Sequence, residues 1–252
     1  DESEPAHLSD APEPDEPLPV PVDADLKTRN ALTKTPSEEI ALQQAFGYTA
    51  EDIRLIVTPM AGEGKEPTWS MGDDAPLSVL AEQSRPISTF FRQRFAQVTN
   101  PAIDSLRERK VMALDAFIGP RGNLLAETPE QARLIHLKSL VLNATTLDAL
   151  KANGTLKTVV ISTAYPAGSE AGTIRKELDR IVAEAEQATR DGAAVLVLSD
   201  RGVDATHVAV PMALAAGAIH NSLIASGLRT RVDLVAETGE VWDVHQLCVL
   251  VG

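Results

Sequence analysis

Ser199, Asp200 and Arg201 combine a hydroxyl, a carboxylate and a guanidinium in three consecutive positions. They follow directly on the apolar run Ala193-Ala-Val-Leu-Val-Leu198. The C-terminal end of a parallel strand is where such sheets gather their sites, so the three could orient a polar ligand. They could equally form an ion pair that fixes their own loop, and the sequence favours that plainer reading. His220 lies further along the chain, but no Gly-x-Ser-x-Gly elbow raises Ser199 into a hydrolytic triad. The other histidines, His7, His136, His207 and His245, show no zinc-ligand spacing, and His136 reads as a strand-surface residue. Lys65 beside Gly62 and Gly64 lacks the spacing of a phosphate loop. Val98-Thr99-Asn100-Pro101 sets a hydroxyl and an amide on a backbone that proline restrains. That run could line a passage, although composition alone favours a structural turn.

Stepping outward, the run at 193–198 reads as a strand buried on both faces, because a half-exposed strand would alternate. Ile174, Leu178, Ile181, Val182 and Ala185 make one stripe of a helix over about 170–190, which Asp191-Gly192 ends. Pro211 and Gly227 bracket a second helix. Leu156–Ser162 and Arg231–Ala236 supply flanking strands, and a last helix is expected up to Gly252. The expected unit is β-α-β-α-β-α, a parallel, helix-covered sheet.

The segments before it are harder to read. Thr35-Pro-Ser-Glu-Glu39 and Thr49-Ala-Glu-Asp52 look like helix starts, with Pro59 expected to end the second helix. Residues 61–76 read as a long loop pinned by Trp69 and Met71. A helix is expected over 85–98, with Phe91 and Phe95 on one face as a hydrophobic anchor. Asp104 should cap a further helix carrying Leu106, and Val111, Met112 and Leu114 suggest a buried element. Gly119-Pro-Arg-Gly122 is turn chemistry, and Leu134–Leu142 is a strand candidate.

Composition bounds these readings. With 44% hydrophobic and 23% charged residues in 252, the chain can bury one large core or two small ones. Residues 1–25 hold nine acids, six prolines and neither lysine nor arginine, which suits an extended spacer. The remaining 27 acids face 23 bases, leaving no basic footprint for nucleic acid. No apolar run approaches the roughly 20 residues of a membrane span, and no secretory signal is present. The single cysteine, Cys248, excludes a disulfide within this chain and reads as a small core hydrophobe. A reducing, cytoplasmic setting is expected.

Several longer runs carry a resemblance. Ala45-Phe-Gly-Tyr48, Ser70-Met-Gly-Asp-Asp-Ala-Pro-Leu77, Phe95-Ala-Gln-Val-Thr-Asn-Pro-Ala-Ile-Asp104 and Gly119-Pro-Arg-Gly-Asn-Leu-Leu125 are four of them. Leu196-Val-Leu-Ser-Asp-Arg-Gly202 and Val235-Ala-Glu-Thr-Gly-Glu-Val-Trp-Asp-Val-His245 are two more. Together they resemble the central region of the large subunit of glutamate synthase. Ser105 departs from the family pattern, which usually has a second proline there.

The resemblance implies a fold of the α/β class: an incomplete or degenerate (β/α) barrel-like parallel sheet with a mainly helical and irregular N-terminal part. With the composition of the N-terminus, this sets an expected acidic Pro-rich tail over 1–36 and a central domain over 37–252, divided into parts 37–110 and 111–252. It implies a segment with no catalytic centre and no cofactor of its own, since the chain starts at Asp1 and shows no cluster cysteines. FMN and a 3Fe-4S cluster are implied for the full-length parent. The parent's reaction converts glutamine and 2-oxoglutarate into two glutamates. The implied partners are the amidotransferase and synthase domains, with a small NADPH-oxidising subunit or ferredoxin, and neither nucleic acid nor membrane. Val98, Thr99, Asn100 and Pro101 would then lie near the mouth of the ammonia tunnel. Two alternatives remain open at this point: an independent small-molecule or flavin-binding α/β enzyme, and an interaction module using the acidic tail. No glycine-rich phosphate turn follows an expected strand, which disfavours the first.

Overall fold

In the computed structural model, residues 36–69, 85–92, 94, 102–123 and 125–251 are described. Val98–Pro101 and the 1–25 tail lie outside them, as do residues 93 and 95–98 of the expected 85–98 helix. The helical part begins with α1 (Pro36–Ala45) and α2 (Ala50–Asp52). A π-helical turn over Ile53–Val57 and α3 (Thr58–Glu63) follow without a break. Thr49 caps α2 through a reciprocal capping box with Asp52. Next come α4 (Ser105–Val111), capped by Asp104, and the antiparallel pair β1 (Ala116–Ile118) and β2 (Ile135–Leu137).

The rest is the α/β unit. It comprises α5 (Ala144–Ala152), β3 (Thr158–Ser162), β4 (Ala164–Pro166), α6 (Thr173–Arg190) and β5 (Val195–Ser199). It continues with β6 (His207–Ala209), α7 (Met212–Ala225), β7 (Asp233–Glu237) and α8 (Val244–Val251). Strands β3, β5 and β7 form a three-stranded parallel sheet in that order. Ser162, Ser199 and Glu237 therefore stand level at its C-terminal edge. Strands β4 and β6 add a separate antiparallel ribbon. This is a mixed helix and parallel-sheet α/β fold, and no closed barrel forms among the described residues.

Central β5 explains its own sequence. Leu196 and Leu198 point into a cluster with Ile161, Ile181, Ala185, Ile219 and Leu223, so helices α6 and α7 cover that face. Val195 and Val197 belong to the opposite cluster, with Leu147 and Leu150 of α5 and Ile118, Ile135 and Leu137 of the β1–β2 pair. A strand with helices on one face and a helix plus hairpin on the other needs apolar residues at every position. Helix α6 ends where expected: Asp191 is its C-cap, and Gly192 follows with φ of 86°, a conformation costly for other residues.

Several expectations need correction; the strand candidate over Leu134–Leu142, for one, is strand only at Ile135–Leu137. Pro59 does not end a helix. The π turn bonds the Thr58 amide back to the Ile53 carbonyl, and Pro59, with no amide to satisfy, starts α3. Residues 87–90 form a 3-10 turn closed from Thr89 to Pro86 and from Phe91 to Ser88, and Phe91 then runs extended. Phe90 and Phe91 are 43% and 51% exposed, while Phe95, the other half of the expected anchor, lies outside the described residues. Val111, Met112 and Leu114 are 58%, 68% and 58% exposed, because α4 buries no residue at all. Cys248 is exposed rather than in the core, since α8 packs only partly against α7.

Candidate functional site

The C-terminal edge of the sheet brings charged residues together, and Glu237 is their centre. It ends β7 and is 8% exposed. One carboxylate oxygen accepts hydrogen bonds from Ser199 Oγ at 2.7 Å and from Lys151 Nζ at 2.9 Å. Its other oxygen accepts a short hydrogen bond from Arg201 Nε. Burial pushes the Glu237 carboxyl up, but these three donors outweigh it and hold the group below its ordinary value. Arg201 therefore ion-pairs across to β7 and not with its neighbour Asp200.

Asp200 is 3% exposed and faces the next turn. It accepts from Thr238 Oγ1 at 2.6 Å and from the Gly239 amide at 3.0 Å. Burial raises its carboxyl above the usual range, and the nearby Glu237 charge adds to the rise. Glu240 is raised by burial as well, and it accepts the Met212 amide at 2.8 Å near the start of α7. Thr163, wholly buried, gives both its amide and its hydroxyl to the Ser199 carbonyl, at 2.9 and 3.2 Å. Among the described residues no buried side-chain polar atom lacks a partner. The edge is thus tied off internally: its donors and acceptors answer one another.

Ser199, Asp200 and Arg201 do converge at this edge, but His220 does not join them. His220 accepts a hydrogen bond from Arg229 Nε, and the Ser199 hydroxyl is given to a carboxylate. Such a serine has no base to activate it. Sequence reading missed Glu237, Lys151 and Thr238. The available signal was that Glu237-Thr-Gly239 ends a strand just as Ser199-Asp-Arg201 does. His136 pairs with Asp115 at 3.0 Å and stacks on Phe117, a surface arrangement.

An iron–sulfur cluster needs several thiolates, and this chain has one cysteine. Among the described residues no three His, Cys, Asp or Glu side chains gather as a metal site, and no helix is long and apolar enough to cross a membrane. The residues do not fit the cluster. The turns after β3, β5 and β7 begin Thr163-Ala-Tyr, Asp200-Arg-Gly and Thr238-Gly-Glu, none of them a glycine-rich phosphate cradle for a flavin.

Fold and site together define a helix-covered parallel α/β domain whose strand ends are closed by internal ion pairs. The family model for the glutamate synthase central domain matches residues 41–252. The chain is 43% identical, over 90% of its length, to the chloroplastic ferredoxin-dependent glutamate synthase of Spinacia oleracea. It is 45% identical over 83% of its length to ferredoxin-dependent glutamate synthase 2 of Synechocystis. It is 44% identical, again over 83%, to the NADPH glutamate synthase large chain of Azospirillum brasilense. The chain spans 14% of the length of each of these three relatives. The chain belongs to the glutamate synthase family and corresponds to its central domain.

Proposed function

We propose that this chain is the linking, non-catalytic central domain of a glutamate synthase. It joins a glutamine amidotransferase domain to an FMN and iron–sulfur synthase domain and helps to wall the ammonia passage between them. The parent converts L-glutamine and 2-oxoglutarate to two L-glutamates, with electrons from NADPH or ferredoxin, in the cytoplasm. Residues 1–36 act as an acidic linker and residues 37–252 as the central domain. The three parallel strands are part of an incomplete barrel.

The observation that carries this reading is the match of the central-domain family to residues 41–252. The closed state of the sheet edge is consistent with a scaffold role, because no buried side-chain polar atom among the described residues lacks a partner. Both ferredoxin-dependent and NADPH-dependent relatives match at similar identity, so either donor suits the parent.

Val98, Thr99, Asn100 and Pro101 are the proposed wall residues. Ammonia passing between two centres must stay out of bulk water, where it would be protonated. A hydroxyl and an amide on a restrained backbone can pass a small neutral molecule along a narrow path. Thr99→Phe in the full-length enzyme should abolish glutamine-dependent synthesis while sparing reduction of 2-iminoglutarate supplied directly. Equal loss of both activities would assign the run to structure and remove the passage role.

A further inference from the structure

The N-terminal helical layer holds itself together weakly. Helices α1, α2 and α3 bury no residue, and in the described stretches 36–69 and 85–92 only Ile56 and Ser88 are buried. A layer with so few apolar contacts takes its position from its attachments. Among the described residues, most of the attachments named here meet one turn of the α/β unit, Thr238-Gly239, directly after β7. The Tyr48 hydroxyl donates to the Gly239 carbonyl at 3.1 Å. Tyr48 also lies against Trp242, with ring centroids 4.0 Å apart. Phe46 covers Gly239 so closely that a Cβ there would fall 2.8 Å from its ring. Gly47 abuts Pro86 in turn, and the Pro86 carbonyl accepts the Thr89 amide at 3.1 Å. His245 of α8 adds a separate contact to the Ser88 carbonyl at 3.1 Å.

What sets the shape of that turn is Asp200. Its carboxylate takes the Thr238 hydroxyl and the Gly239 amide, while the Asp200 amide donates to the Glu237 carbonyl at 3.1 Å. The end of β5 thus grips the end of β7 from both its backbone and its side chain. Six apolar residues, Ala193–Leu198, precede Ser199 and Asp200, and a buried carboxylate after them costs desolvation. An apolar side chain would fill the space without holding the turn. We propose that Asp200 is a positioning residue that, through Thr238 and Gly239, fixes how the N-terminal helical layer docks on the C-terminal edge of the sheet. Layer and edge then move as one body, and a displacement at the strand ends is carried to Tyr48 and on to the 85–92 turn. This inference stands independently of the function proposed above.

Amide hydrogen exchange on the full 252-residue chain tests it, with Tyr48→Phe, Asp200→Asn and their double variant. The reporters are the amides of Gly47, Tyr48 and Thr89, each in a backbone hydrogen bond of the layer. The controls are the amides of Val160 and Ile161 in β3. Each single variant should speed exchange at the reporters by about two- to tenfold, the loss of one or two hydrogen bonds, and leave β3 unchanged. The double variant should add little to either single one, because both cut the same connection. Unchanged reporters, multiplying effects in the double variant, or equal acceleration in β3 would each overturn the proposal. Should Asp200→Asn fail to fold, Thr238→Val removes only the hydroxyl given to Asp200 and must reproduce the pattern.

Discussion

Strand β5 of the α/β unit and the stretch around α4 both carry large apolar residues but use them differently. In β5, Val195, Leu196 and Val197 are wholly buried and Leu198 is 1% exposed. In and after α4, Leu106 and Leu125 are each 92% exposed. The difference is one of partners. Strand β5 has a strand on each edge and a covered face on each side, whereas α4 buries no residue. Apolar residues stabilise a fold only where a second element closes over them. Strand β5 is therefore closed into the core, with the β1–β2 pair among its covers, whereas α4 stays at the surface.

Substitutions in the two regions should separate them most sharply. Leu196→Ala or Leu198→Ala removes a side chain from a packed cluster and should cost about 2–5 kcal/mol. Leu106→Ala should change stability by no more than about 0.5 kcal/mol. Urea unfolding reads both, and comparable midpoint shifts would break the comparison by showing that Leu106 is covered in solution.

Charges sharpen the same contrast. Glu237→Gln keeps the shape of the sheet edge but takes the negative charge from Ser199, Lys151 and Arg201, so it should cost about 1–3 kcal/mol at neutral pH. The sign of its pH dependence follows from the lowered carboxyl. The stabilisation is present above the ordinary glutamate value of 4.5 and is lost as pH falls through the folded-state value below it. Wild type and variant should thus converge in acid. Asp200, raised by burial, behaves in the opposite sense: its titration favours the fold below 3.8 and withdraws that contribution as pH rises through the folded-state value. The advantage of wild type over Asp200→Asn should therefore shrink as pH rises from acid toward neutral. Stability curves measured by urea at a series of pH values check both slopes.

The sequence made the α/β unit legible because its signals are local and agree. The continuous run at 193–198, the stripe on α6 and the glycine after Asp191 each demand the same element. Other features depended on pairing across the chain. Lys151 meets Glu237 across 86 positions, and Tyr48 meets Gly239 across 191, distances over which residue type says nothing about contact. Val111, Met112 and Leu114 mislead because apolar character means burial only where something covers it. Pro59 misled because a π turn can absorb the missing donor. The Asp104 cap, by contrast, was readable, since an aspartate before a polar helical run satisfies amides within three residues.

That cap supplies the smallest expected effect and the finest test of the comparison. Asp104 Oδ1 accepts the Leu106 and Arg107 amides at 3.1 and 3.0 Å, and those bonds with the short pair to Arg107 hold its carboxyl below the ordinary value. Removing such a cap leaves those amides unpaired and weakens the start of the helix. Since α4 buries nothing, that loss should fall on α4 alone: it frays, and the global unfolding midpoint stays put. Asp104→Ala should therefore speed exchange of the Glu108 and Met112 amides, which bond to Asp104 and Glu108 carbonyls, without altering any amide of β5. If the midpoint fell together with the helix, α4 would be coupled to the core after all. The contrast between a β5 closed on both faces and an outlying α4 would then fail.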